Sequence, residues 1–419
     1  MGFRRLVFLA WRNLWRSWRR TLITSSTIAI GFALAVVSIG LGDGGHNQMI
    51  RNAIRMGNGH LTIQPKGYLT APANHLYLAD GDSLRPPDGL QAAGVTIAPR
   101  IFLQVLASTA RNSLGAAVQG IDVEADPYRA LLGEAITDGR WLEPGDRRGI
   151  LIGHKMAKKL KARIGSKVVL MAGGGQGDVE SQLGRVRGIF DAGNDAVDGF
   201  MIFSGLQLAR NLLPPNGVDG RDAAVTRYAV FLPDAKRLDY WKSALQAATL
   251  PQNAVVLDWR EMMPDLVKFI FLDDFGNYIW LAIILIVVLF GILNTILMSV
   301  LERTREFGMV RALGMRPGEL LLLVIVETVL LAVVALAAGW ALGGAGHYYL
   351  ATVGLDLTQM MEPDAMSVGG VMLDPIMKSE LSWGRVAALT GVVFSATLFS
   401  GIYPAIKASR VPPVAAIAT

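Results

Sequence analysis

The chain has 419 residues, 52% of them hydrophobic and 18% charged, with a formal net charge of +6 and no cysteine. A composition this apolar excludes an ordinary soluble protein unless the excess is gathered into membrane-crossing runs, and the missing cysteine excludes disulfides, thiolate metal sites, a cysteine nucleophile and a lipid-modified N-terminal cysteine. Nucleic-acid binding needs a basic face on a soluble domain, whereas here Arg4, Arg5, Arg12, Arg16, Arg19 and Arg20 crowd against the first apolar run, the pattern of a membrane surface.

In residues 1–20, Phe8, Trp11, Trp15 and Trp18 recur at three- and four-residue spacing among the arginines. Such a segment reads as a basic helix in the headgroup layer or as a cytoplasmic extension of the first spanning helix. Four segments reach the roughly 20 apolar residues that a hydrocarbon core requires: 21–43, 276–301, 320–344 and 385–406. The first is preceded by too long a helix, and is itself too long, for a cleaved signal peptide. Arginine and lysine cluster in 1–20, in the 302–319 connection and in the 407–419 tail, so these three face the cytoplasm. The expected location is the bacterial inner membrane, with both termini cytoplasmic.

Two regions then lie outside, 44–275 and 345–384. The first is expected to be a mixed α+β domain of two lobes. Leu61 and Ile63, Ile101, Leu103 and Val105, and Val168 and Leu170 alternate as half-buried strands do. Segments 154–162 and 235–248 read as helices, and the cluster Gly173, Gly174, Gly175 and Gly177 as a hairpin tip. The second is read as a loop whose Met360, Met361, Met366, Val371, Met372 and Met377 pack on the large domain or dip into the interface.

Within the spans, Glu327 is an intramembrane acid and so a site candidate. It is open to pairing with an arginine of the N-terminal arm, to proton coupling, or to a packing role alone. Asn294 and Thr295 are expected in the bundle interior, and Gly339 with Gly343 lets another helix approach closely.

The connection between the second and third spans reads Glu302-Arg303-Thr304-Arg305-Glu306-Phe307-Gly308-Met309-Val310-Arg311-Ala312-Leu313-Gly314. Its periodicity, its charges of both signs and its closing glycine predict a short helix in the cytoplasmic plane. The run resembles the MacB/FtsX/LolC-LolE family of ABC transporter permeases, whose pattern there is E-R-x-x-E-x-G-x-x-R-A-L-G. Val118-Gln119-Gly120-Ile121-Asp122, the run from Gly149 to Phe190 and the tail from Tyr403 to Val414 are similar as well, and Gly59 to Tyr68 is similar to lipoprotein-releasing members.

The resemblance implies an α-helical membrane protein with four transmembrane helices and a MacB-like periplasmic domain. It implies ATPase coupling by Glu302, Arg303, Arg305, Glu306, Phe307, Gly308, Arg311, Ala312, Leu313 and Gly314, and an ABC ATPase dimer beneath. It also implies a second permease subunit, a copy or a paralogue, with a lipid cavity at the seam near Phe32, Val36, Ile283, Val287 and Phe290. The substrate expected on this likeness is a lipoprotein or another lipophile, handed to a periplasmic carrier. The alternative is mechanotransmission, with an adaptor in a tripartite efflux system or in control of a cell-wall hydrolase.

No Gly-Lys pair occurs, so no phosphate-binding loop is encoded; the chain is expected to be non-catalytic, with ATP and Mg on the partner. The histidines, His46, His60, His75, His154 and His347, lack the spacing of helical metal ligands, and no Gly-x-Ser-x-Gly elbow is present. A ligand-sensing receptor is disfavoured by the short stretch after Pro404.

Overall fold

A computed structural model describes residues 3–55, 59–79, 94–174, 178–193, 195–214, 223–248, 250–251, 253–357, 367–368, 371–372 and 376–410. The chain begins with α1 (Phe3–Arg16) and α2 (Trp18–Ala53). There follow β1 (Leu61–Pro65), β2 (Thr96–Ser108), β3 (Ser113–Ile121), α3 (Tyr128–Gly133), β4 (Ile136–Gly139), β5 (Gly149–Gly153), α4 (His154–Leu160), β6 (Lys167–Gly173) and β7 (Val179–Phe190). Next come α5 (Asp195–Phe200), β8 (Met201–Gly205), α6 (Leu206–Arg210), β9 (Arg227–Phe231), α7 (Leu238–Ala247), β10 (Ala254–Asp258) and α8 (Trp259–Met262). The last four helices are α9 (Pro264–Glu302), α10 (Thr304–Ala312), α11 (Pro317–Thr352) and α12 (Trp383–Ser409). Two compact units result: Met1–Asn47 with Ile270–Leu357 and Pro375–Thr419, and Gln48–Phe269 with Thr358–Asp374.

In the helical unit, α2, α9, α11 and α12 are long and apolar enough to cross a membrane. Their 36, 39, 36 and 27 residues exceed, at 1.5 Å per residue, the roughly 30 Å of a hydrocarbon core. Each helix therefore begins before and ends after its expected apolar segment, because the backbone ladder continues once the side chains turn polar. The N-terminal arm breaks at Ser17, so α1 is a helix of its own and Trp18 belongs to α2. Leu6 and Ala10 of α1 are buried against Phe307, Leu320, Val324 and Ala405, while Phe8, Trp11, Trp15 and Trp18 stay exposed.

The close approach of α2 to α11 rests on two glycines. A Cβ at Gly339 would lie 2.9 Å from Phe32 Cδ1 and 3.1 Å from the Ala29 carbonyl, and one at Gly343 would lie 3.2 Å from Ala33 Cα. Any larger residue would push the helices apart.

The strand-rich unit is built on a closed ring. β2 pairs with β3 and β6, β3 with β8, β8 with β5, β5 with β7 and β7 with β6. Period-two alternation turns Ile101, Leu103, Val105, Val168 and Leu170 inward into one core, joined by Met156 and Leu160 of α4. β2 also carries the ladder outward through β9, β1 and β10, where α7 covers a second core of Leu61, Ile63, Val230 and Trp241. β1 departs from the expected half-buried strand, for all five of its residues are buried. It lies between β9 and β10, so Thr62 and Gln64 are enclosed too.

The hairpin joining β6 to β7 is present, with Gly173 opposite Val179; Gly175 and Gly177 lie outside the described residues. The expected loop 345–384 is shortened by α11, which runs on to Thr352. Met377 pairs with Leu355 and Met372 with Ser367 in two-residue ladders, and Met360, Met361 and Met366 lie outside the described residues.

One buried ion pair ties the ring to α3. Arg100 of β2 donates to Asp126 through Nε at 2.9 Å and a terminal nitrogen at 2.7 Å, with both side chains fully enclosed, and its guanidinium lies 4.2 Å from the centre of the Tyr128 ring. Asp126→Asn leaves a buried charge uncompensated and is expected to destabilise this unit by about 3–5 kcal/mol. Thermal melting of the detergent-solubilised chain checks this, with an unchanged midpoint as the opposing result.

Candidate functional site

The predicted connection between the second and third spans forms α10, which starts after Arg303 and closes at Gly314 with φ +98, a left-handed turn that glycine adopts without strain. Phe307 and Gly308 face the bundle and are buried. Arg303 places Nη1 3.2 Å from both carboxylate oxygens of Glu327 and Nε 3.2 Å from Glu306 Oε2. Asn13 of α1 donates to Glu327 Oε1 at 2.6 Å. Arg16 pairs with Glu306 at 2.9 Å, and Arg20 pairs with Glu302.

Glu327 therefore meets Arg303, and of the readings left open by the sequence the pairing with an arginine of the N-terminal arm is not the one formed. Of the arm's arginines, Arg16 turns to Glu306 and Arg20 to Glu302, and the arm side chain that bonds Glu327 is Asn13. Arg311 reaches the Ser409 carbonyl at 3.4 Å, so it too points into the bundle. The opposite side of the segment is open: Arg305, Met309, Ala312, Leu313 and Gly314 are exposed, and Leu313 is 88% exposed. Of these, Met309 was not singled out from the sequence, although its i+4 spacing from Arg305 marks the same face.

At the other end of the helical unit stands a charged cluster that the sequence reading missed. Arg385 of α12 contacts Asp43 of α2 at 2.5 Å and Asp274 of α9 at 3.0 and 2.9 Å, His46 lies 2.9 Å from Asp273, and Ser38 donates to Asn277 at 3.0 Å. The sequence signal was present but diffuse, since each charge falls near the end of an apolar run where charges are common.

Between this cluster and the middle of the bundle lies a cavity of about 310 Å³ enclosed by α2, α9 and α12. Ile28, Phe32, Leu281, Leu285, Val288 and Val393 supply apolar wall, and Asp274, Asn277 and Arg385 line its polar end. Of the five residues expected around a lipid cavity, Phe32 lines this one. Val36 turns instead toward Gly343 of α11, and Ile283, Val287 and Phe290 are 50%, 65% and 65% exposed. With 3.6 residues per turn, Leu281, Leu285 and Val288 occupy one face of α9 and those three another. Asn294, expected in the interior, falls on this outward face and is exposed, while Thr295 is half-buried and returns its hydroxyl to the Gly291 carbonyl at 2.8 Å.

Four apolar helices with a large mixed α+β domain inserted after the first define a polytopic membrane protein. The MacB-like periplasmic core domain family matches residues 21–248, more than half the chain, and the FtsX-like permease C-terminal family matches residues 278–413. The chain belongs to the MacB/FtsX/LolC-LolE family of ABC transporter permeases.

An uncharacterized ABC transporter permease of Methanocaldococcus jannaschii is 21% identical over 98% of this chain and 96% of its own length. The lipoprotein-releasing system transmembrane protein LolC of Neisseria meningitidis is 22% identical over 76% of this chain and 77% of its own. The pyoverdine export ATP-binding/permease protein PvdT of Pseudomonas savastanoi is 25% identical over 98% of this chain, which spans 59% of that protein's length. Among solved structures, the extracellular domain of the noncanonic ABC-type transporter YknZ from Gram-positive bacteria aligns at 18% identity over 47% of this chain and 98% of its own, with a TM-score of 0.31.

The Glu327 contacts hold α1 and Arg303 to α11, and charged hydrogen bonds of this kind contribute about 1.5–3 kcal/mol each. In a chain without native cysteine, an Ala10→Cys probe on the buried face of α1 reports that docking directly. Adding Glu327→Ala is expected to raise maleimide labelling of A10C about tenfold, as 1.4 kcal/mol converts; an unchanged rate would show that α1 docks without the carboxylate.

Proposed function

We propose that this chain is the non-catalytic permease subunit of an ATP-driven transporter of the bacterial inner membrane that moves a lipophilic substrate, an acylated protein being the favoured class. In this reading α1, α10 and the C-terminal end of α12 face the cytoplasm, where their excess of arginine belongs, and the β1–β10 unit is extracytoplasmic. ATP and Mg are held by a partner ATPase dimer. The name of the pyoverdine relative joins an ATP-binding and a permease part, and this chain spans 59% of that protein's length.

The observation that carries the coupling is the division of α10 into two faces. Phe307 and Gly308 are buried in the bundle, and Arg303 and Glu306 are bound into the Glu327 contacts, whereas Arg305, Met309 and Leu313 stand free of the bundle. An ATPase that grips the second face moves the first with it. Because packed interiors shift between discrete arrangements and do not deform continuously, the displacement passes to α2 and α9, which are unbroken over 36 and 39 residues.

The lipophilic substrate rests on the cavity between α2, α9 and α12, whose apolar wall and charged end suit an acyl chain with a polar head, and on the likeness to LolC. The second permease subunit is placed on the outward stripe of α9 formed by Ile283, Val287, Phe290, Asn294 and Met298. An amide facing hydrocarbon is unfavourable, and a two-fold axis beside Asn294 lets two copies bond each other there.

Two experiments test these assignments. Met309→Asp with Leu313→Asp changes only exposed positions, so the chain is expected to insert normally yet lose its copurifying ATPase; retention of the ATPase with full transport rejects the docking face. Val287→Cys is expected to give a disulfide-linked dimer of this chain on mild oxidation in membranes, while Val333→Cys, which is 52% exposed on α11, stays monomeric. Equal cross-linking of both, or of neither, rejects the α9 seam between copies.

A further inference from the structure

The topology of the strand-rich unit brings three metal-binding side chains to one edge of the ring. β5 and β7 run parallel with Gly153 opposite Phe190, so the chain leaves both strands on the same side and His154 stands beside Asp191. β8 runs antiparallel to β5 with Ile152 opposite Ile202, which puts α5, just ahead of β8, at that edge with Asp198. Gly153 permits the approach, since a Cβ there would overlap the backbone of Asp198.

His154 Nδ1 is buried and has no hydrogen-bond partner. It lies 3.5 Å from Asp191 Oδ1 and 3.7 Å from Asp198 Oδ2, beyond the usual 2.7–3.2 Å of an N–H···O hydrogen bond. Both carboxylates are already oriented by backbone: Asp198 Oδ1 accepts from the Ala192 N–H at 2.8 Å and Asp191 Oδ1 from the Gly193 N–H at 3.0 Å.

These separations are those of ligands around a common ion. Zinc bonds of about 2.0–2.2 Å place tetrahedral neighbours about 3.3–3.6 Å apart, and the three donor atoms here all lie within 4.8 Å of one another. Asp198 is enclosed with the Asp191 carboxylate close by, and a dication would offset the repulsion between the two. Asp191 is 44% exposed and leaves the ion a way in.

We infer that His154, Asp191 and Asp198 form a binding site for one divalent transition-metal ion of the Zn²⁺ class, with water completing its coordination. An imidazole with two carboxylates suits such an ion better than Mg²⁺, which prefers an all-oxygen octahedron. The ion ties the start of α4 to the segment between β7 and β8, and so stabilises the folded domain by binding it alone.

The test uses the full chain in detergent, purified through a tag without histidine and stripped with EDTA. Calorimetric titration with ZnCl₂ is expected to show one tight equivalent per chain, with Zn²⁺ raising the melting temperature. His154→Gln and Asp191→Asn, each at a partly exposed position, are expected separately to weaken binding by about tenfold or more with unchanged melting in EDTA. CoCl₂ is expected to give visible absorption bands that both substitutions abolish. Absence of a tight equivalent, or Zn²⁺ affinity unaltered in both variants, overturns the site; Mg²⁺ binding as tightly as Zn²⁺ overturns the class of ion. Should His154→Gln unfold, Asp191→Asn decides between these outcomes.

Discussion

A carboxylate in the middle of a helix bundle has to be matched, because a charge left alone in a low-dielectric interior costs several kcal/mol. At Glu327 the match comes from two directions, Arg303 ahead of α10 and Asn13 on α1. These contacts join α1 and the start of α10 to α11, beside the apolar cluster of Leu6, Ala10, Phe307 and Leu320. With Arg303 bound to Glu327 and Phe307 buried, Met309 and Leu313 remain exposed. The proposed docking face of α10 is the side that these contacts leave open.

The opposite end of the helical unit follows a related logic with different chemistry. Arg385 gathers Asp43 and Asp274 from two helices, so α2, α9 and α12 are pinned together at that end, while at the other Arg20 of α2 pairs with Glu302 of α9. Between the two, α9 stands off enough to leave the cavity. The cavity has apolar walls and a charged end, the features on which the proposal of a lipophilic substrate rests.

The strand-rich unit is held together by separate means. Its ring closes on itself, so β2, β3, β5, β6, β7 and β8 leave no unpaired edge among themselves, and the Arg100–Asp126 pair anchors α3 without access to water. Partial burial pushes the His60 imidazole below its ordinary range, and its Nδ1 accepts the Leu232 N–H at 3.0 Å.

What the sequence alone determined were the features written locally. Four apolar runs of spanning length, the alternation of Ile101, Leu103 and Val105, and the family motif from Glu302 to Gly314 are each contained in a few consecutive residues, and the fold class and family followed from them. What it left undecided were relations between distant segments. An all-apolar helix such as α9 carries no polar stripe to say which face is inside, so Leu281, Leu285 and Val288 could not be told from Ile283, Val287 and Phe290, nor Asn294 placed. Pairings such as Glu327 with Arg303 and Asn13, Arg385 with Asp43 and Asp274, and His154 with Asp191 and Asp198 join residues from different elements. Only the packing of those elements decides them, because charge complementarity acts through space and leaves no periodic trace along the chain.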